Sequence, residues 1–217
     1  MNLSHSFSSI KMYENCPKRY YHQKITKEVE DVGSAATIYG TRVHADLEER
    51  LANGKKLTEE TAKHENLCAE ILKTKSEVLV EQKMCLTKEF TPTTWMAKDA
   101  WFRSIVDVLL LNEKSATVMD WKTGKRRPDF MQLELFAMQI FFHYPKIEKV
   151  ITSFVWLKEL GTDTKVFKRD KDLQSIINKF LIKLKHIYTS VKTDNWIPKP
   201  SGLCRFCPCN NFCEYAK

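Results

Sequence analysis

Two carboxylates and a lysine carry the chemistry most open to reading in this chain. Asp107 lies in the apolar stretch SIVDVLLL, and Asp120 and Lys122 lie in VMDWKTGKRR. A lone acid among Ile, Val and Leu is costly to bury without a partner or a cation. In DWK, strand alternation puts Asp120 and Lys122 on one face. If the two stretches pair through the short connection NEKS, Asp107 and Asp120 approach each other, and they repel unless a cation lies between them. Hard oxygen donors converging on Mg²⁺ suit hydrolysis of a phosphodiester. Lys122 would hold the attacking water and stabilise developing negative charge. Taken alone, acid-x-Lys is a two-residue pattern that also describes a solvated strand end.

A second constellation is made of sulfur. Cys204, Cys207 and Cys213 form C-x2-C-x5-C, with Cys209 between the last two. Clustered cysteines in a reducing compartment read as metal ligands. A tetrahedral ion or a four-iron cube wants four donors. No histidine follows Cys213, so the fourth comes from elsewhere, and Cys16 in YENCPKRYYH is the candidate. Zinc and iron–sulfur both fit the spacing. Cys68 and Cys85 stand alone and read as buried small hydrophobes.

These groups need elements to hold them. Residues 7–75 read as mainly helical, with Ser8 as a possible first cap, an apolar face at Val43, Leu47 and Leu51, a stop at Gly54 and a further helix over 58–75. The stretches 76–86, 100–112 and 115–123 read as a strand meander, 128–144 as an apolar helix opened by Pro128 and Asp129, and 149–157 and 164–168 as further strands. From Leu173 to Val191 the apolar spacing predicts a long amphipathic helix. Residues 193–217 form a loop-rich tail that cannot build its own core and needs a staple. The order predicts an α/β (α+β) fold, a central mixed sheet flanked by helices. At 217 residues the chain suits one domain: a helical N-terminal segment over 1–75, a core over 76–192 and a tail over 193–217 paired with Cys16.

The net charge of +8 favours polyanionic partners. No apolar run is long enough to cross a bilayer, and the first sixteen residues lack the pattern of a secretory leader, so a cytoplasmic location is expected.

The ordered set resembles the RecB-type branch of the PD-(D/E)XK nuclease superfamily. That branch shows a helix with an upstream histidine, a strand acid, acid-x-Lys, then a helix with Gln-x-x-x-Tyr. Here the order is GTRVHADLE with His44, SIVD with Asp107, DWKTGK with Asp120 and Lys122, and QLELFA with Gln132. The resemblance implies a restriction-endonuclease-like core. It implies that His44, Asp107, Asp120 and the backbone carbonyl of Trp121 hold Mg²⁺ or Mn²⁺, with Lys122 as the catalytic lysine. Glu81 would be an auxiliary acid, with Glu89 its rival. Gln132 would contact DNA or order the site. Two positions depart from the pattern: Ser104 stands where glycine is common, and Phe136 stands for the tyrosine.

Iron–sulfur members of this branch, including CRISPR-associated exonucleases, carry one cysteine before the nuclease core and three after it. By that resemblance Cys16, Cys204, Cys207 and Cys213 hold a structural [4Fe–4S] cluster pinning the tail to the N-terminal helix, with zinc as the alternative and Cys209 outside the set. Lys125, Arg126 and Arg127 would lie beside the scissile phosphate. Lys18 and Arg19, interleaved with Tyr20 and Tyr21, suit a single strand, because rings stack on bases while charges track phosphates. The expected function is a metal-dependent DNA exonuclease acting on single strands or ends, in the cytoplasm, or the host cytoplasm if phage-encoded. The alternative is a DNA-end or single-strand binding subunit of a CRISPR adaptation or recombination complex, with little nuclease activity of its own.

Overall fold

The β-branched and aromatic runs between residues 76 and 168 become a six-stranded sheet in a computed structural model of the protein, which describes residues 3–30, 33, 35–211 and 213–215. The strands are β1 (Glu77–Leu86), β2 (Pro92–Thr93), β3 (Phe102–Leu111), β4 (Ser115–Lys122), β5 (Lys149–Trp156) and β6 (Gly161–Lys168). They lie in the order β2-β1-β3-β4-β5-β6. Every pairing is antiparallel except that of β4 with β5. A parallel pair needs a crossover, and the apolar helix Phe130–His143 supplies it. The expected mixed sheet flanked by helices is therefore present.

The helices are α1 (Phe7–Asn15), α2 (Pro17–Tyr20), α3 (Ala35–Asn53), α4 (Glu65–Leu72), α5 (Phe130–His143) and α6 (Arg169–Thr193). Their ends differ from the sequence expectations where side chains compete for the backbone. Ser6, not Ser8, caps α1, and Ser9 completes a reciprocal capping box with it. The stretch 58–75 is helical only from Ala62, because Thr58 donates through both its backbone N and its Oγ1 to Asp46 Oδ2, at 3.0 and 2.7 Å. α6 begins before Leu173, at Arg169. Gly54, at a φ of 69°, closes α3 in the left-handed region as expected. No helix among the described residues is long and apolar enough to cross a membrane.

The chain divides into two compact units, one of Met1–Ser4 with Ser34–Ile176 and one of His5–Gly33 with Ile177–Lys217. In the first, a core cluster joins Leu133, Phe136, Ala137 and Ile140 of α5 to Met84, Val106, Leu109 and Val118 of the sheet. A second cluster joins Val43, Leu47 and Leu51 of α3 and Cys68 and Ile71 of α4 to Val108, Leu110, Trp121 and Val155. Leu109 and its neighbour Leu110 point to opposite sides, so the two cores cover opposite faces of the sheet. Arg169 ties off α5 by donating to the carbonyls of Phe141, Tyr144 and Ile147. In the second unit, Tyr20 stacks on Trp196, Tyr13 donates to the His186 carbonyl, and Lys199 donates to the Glu14 carbonyl.

Candidate active site

The site forms where the sheet opens. Pairing between β3 and β4 ends at Val108 and Met119. The next residue on each strand is an acid, Asp107 and Asp120, and both are buried. A strand that loses its partner leaves backbone N–H groups without acceptors. Asp107 Oδ2 takes one of them, accepting from Trp121 N at 2.6 Å.

On the other side of β3, the register with β1 holds at Val80–Val108 and Gln82–Val106 and skips the position between, where Glu81 faces Asp107. Glu81 has a φ of 48°. That region is uncommon for a residue with a side chain and marks a backbone held there by its surroundings. Both strands change phase at this point. Val106 and Met84 pack under α5, whereas Val108 and Val80, of the same parity, pack under α3.

α3 brings the histidine. With Val43, Leu47 and Leu51 seated in the core, His44 Nδ1 lies 3.4 Å from Asp107 Oδ1. One turn earlier, a Cβ added to Gly40 would sit 3.0 Å from Thr123 Oγ1, so a bare backbone lets α3 lie this close to the end of β4. Ligand atoms of His44, Glu81 and Asp107 all lie within 4.8 Å of one another. An imidazole and two carboxylates form a donor set that suits a divalent cation.

Beside this group is a closed triangle. Lys122 Nζ lies 2.6 Å from Asp120 Oδ2 and donates to Gln132 Oε1 at 2.9 Å, while Gln132 Nε2 donates to Asp120 Oδ1 at 2.8 Å. Strand alternation sets Asp120 and Lys122 on one face of β4, and α5, capped by Asp129, delivers Gln132 onto it. The sequence pairs Asp107 with Asp120 at the ion. In the structure Glu81 completes the close group, and Lys122 and Gln132 engage both oxygens of Asp120.

The electrostatics follow from burying several acids together. Burial pushes Asp120 up to about 6, with the Lys122 charge opposing and Asp107 adding to the rise. Burial, then the charges of Asp107 and Glu48, push Glu81 up to about 7. Burial alone would lower His44, but its hydrogen bond to Asp107 and the charges of Asp107, Asp120 and Glu81 outweigh burial and raise it. Burial leads for the two carboxyls, and the neighbouring acids set the direction for His44.

The basic residues divide. Lys125 and Arg127 are exposed on the loop after β4. Arg126 is forked onto Asp163, at 2.9 and 2.7 Å, and Asp163 also accepts from Trp156 Nε1. Arg126 therefore braces the loop to β6. Tyr20 corrects an expectation: its ring is 1% exposed, stacked on Trp196 and edge-on to Tyr13, so it has no free face for a base. Tyr21 packs against the same tryptophan. Glu89 lies in the turn after β1, where its N–H donates to Thr87 Oγ1.

In the second unit Cys16, Cys204, Cys207, Cys209 and Cys213 line one cavity of about 480 Å³, together with Lys18 and Arg19. None of the five is in a disulfide among the described residues. Burial, with Cys207 alongside, pushes the Cys209 thiol up to about 12. Ser201 N donates to Cys204 Sγ at 3.2 Å.

The comparisons with known proteins agree with this architecture. The model of the PD-(D/E)XK nuclease superfamily matches residues 4–214, and the chain belongs to that superfamily. A search of curated proteins returned no match. Among solved structures, a protein from Eubacterium rectale described as a candidate exonuclease is similar over 94% of this chain and 86% of its own, at 14% identity and a TM-score of 0.56. SSO0001 is similar over 100% of this chain and 88% of its own, at 16% identity and a TM-score of 0.50. At such identities the likeness speaks for the fold.

Proposed function

We propose that the protein is a Mg²⁺- or Mn²⁺-dependent DNA exonuclease of the RecB-type branch, acting on single strands or duplex ends. The observation that carries this reading is the convergence of His44, Glu81 and Asp107 beside the Lys122–Asp120–Gln132 triangle. His44, Glu81 and Asp107 would hold the ion, with Asp120 and the Trp121 carbonyl completing its shell. The ion would supply Lewis-acid polarisation of the phosphodiester. Lys122 donates to the attacking water and to the charge that develops on the phosphoryl oxygens. Gln132 fixes the Lys122 ammonium and keeps Asp120 from rotating away. Lys125 and Arg127 grip phosphates beside the cut. Lys18 and Arg19, at the rim of the cysteine cavity, offer charges to phosphates elsewhere on the strand.

The thiols of Cys16, Cys204, Cys207 and Cys213 would hold a structural [4Fe–4S] cluster. Their convergence on one cavity supports that reading, and the one-plus-three pattern leaves Cys209 outside the set. A mononuclear zinc site held by the same four thiolates is the alternative. We take the chain as one cytoplasmic nuclease domain.

A digest of single-stranded and duplex DNA, with Mg²⁺, with Mn²⁺ and with chelator, tests this. Metal-dependent shortening from an end is the expected result. Tight binding with no cleavage in any metal would overturn it in favour of a binding subunit of a recombination or CRISPR complex.

A further inference from the structure

Beyond the metal group one stretch of the sheet is exposed. Val106 and Met84 pack under α5, so the alternate residues Lys83 and Ile105, paired across β1 and β3, point to the opposite face, the one on which α3 lies. Lys83 is exposed and Ile105 is 37% exposed, so this stretch of the face is uncovered. Arg103 lies on the same face two residues further along β3, half-buried opposite Cys85 and donating to the Ala97 carbonyl at 3.4 Å. Trp95, half-buried in the loop after β2, belongs to neither core cluster. Its ring has Lys83 Nζ 5.8 Å and Arg103 Cζ 5.7 Å from its centroid. Beside it in sequence, Met96 is 84% exposed. The surface starts at the metal group: Lys83 follows Glu81 by two residues, and Arg103 lies about 13 Å from Asp107 along the strand, at roughly 3.3 Å per residue.

We propose that Trp95, Lys83 and Arg103 form a stacking platform that receives single-stranded DNA and leads it to His44, Glu81 and Asp107. The proposal rests on the nuclease reading above. With Lys83 and Arg103 over the half-buried ring, its exposed part offers a stacking surface for a base beside charges for the neighbouring phosphates. Only an unpaired strand presents its base faces, so the platform selects single strands over blunt duplex. It takes the role that the buried Tyr20 cannot fill.

The test is binding of fluorescein-labelled oligothymidine to the metal-free protein, with cleavage assayed separately. Trp95→Ala is expected to weaken binding about 5- to 150-fold, the effect of losing one stacked base. Trp95→Phe keeps a ring and retains most of the affinity. Lys83→Ala, at an exposed position, is expected to lower the slope of log affinity against log salt by about 0.7, one phosphate contact on a single strand. Unchanged affinity in a folded Trp95→Ala protein overturns the platform, as does an unchanged salt slope in Lys83→Ala or equal competition by blunt duplex. The two readings fail separately. Trp95-dependent binding without cleavage in any metal sinks the nuclease and leaves the platform standing; cleavage with Trp95-independent binding does the reverse.

Discussion

Lys122 is held by two partners, Asp120 at 2.6 Å and Gln132 at 2.9 Å, and the triangle they form fixes the cation before any substrate arrives. Lys122→Ala should lower the cleavage rate by roughly 10²–10³, the scale of removing one preorganised donor. It should not weaken Mn²⁺ binding, because it removes a positive charge from beside the ligands; calorimetry of the metal-free variant checks this. Glu81 makes a different prediction. Its folded pKa of about 7 lies above the ordinary 4.5, so between those values the folded protein holds a proton that the unfolded chain has lost. Its contribution to metal-free stability is therefore present below about pH 4.5 and lost as pH rises through about 7. Glu81→Gln removes that loss. The variant should match the metal-free wild type in melting temperature near pH 5 and exceed it near pH 8, and a constant difference across that range would contradict the assignment. Excess Mg²⁺ should stabilise the wild type and not the variant, because the ion replaces the missing counter-charge.

At the scale of elements, the approach of α3 to β4 decides whether His44 reaches Asp107. Alanine is favoured over glycine inside a helix by roughly 0.5–1 kcal/mol, so Gly40→Ala should hold or raise the melting temperature. The new methyl meets Thr123 Oγ1 at 3.0 Å, so that side chain or the helix must give by a few tenths of an ångström. A full ångström of misplacement at a reacting centre costs up to about 10²-fold in rate, so this smaller shift should lower activity by less than that while stability holds. Thr123→Ala in the same chain, which removes that oxygen, should restore most of it. Strands, crossover helix and the DWK face were legible because alternation and apolar runs report burial directly. The inward turn of Glu81 was not, because the left-handed backbone that makes it breaks the alternation from which strands are read. Arg126 read as a phosphate contact because its partner, Asp163, lies 37 residues away on β6. Tyr20 read as a surface ring because Trp196, which covers it, comes from the far end of the chain.

For the whole molecule, the tail and the N-terminal helices are joined in the second unit by a few hydrogen bonds, such as Lys199 to the Glu14 carbonyl, and by the cysteine cavity. A chain closed on itself by four thiolates loses much of its unfolded freedom, and that loss grows only slowly with loop length. Anaerobically purified protein should carry four irons per chain, the count of the proposed cluster. Cys16→Ser and Cys204→Ser should each remove the colour and lower the melting temperature, whereas Cys209→Ser should keep both. A colourless wild type with one zinc would contradict the cluster and leave the nuclease site untouched.

The central claim, that His44, Glu81 and Asp107 organise metal-dependent cleavage of DNA, is tested most directly by one digest. End-labelled oligonucleotide is incubated with Mn²⁺ and either wild type or Asp107→Asn, whose amide oxygen can still accept from Trp121 N and keep the fold. Wild type should shorten the substrate progressively and the variant not at all, at equal melting temperatures. An intact substrate with wild type, or equal shortening by both proteins, would contradict the claim.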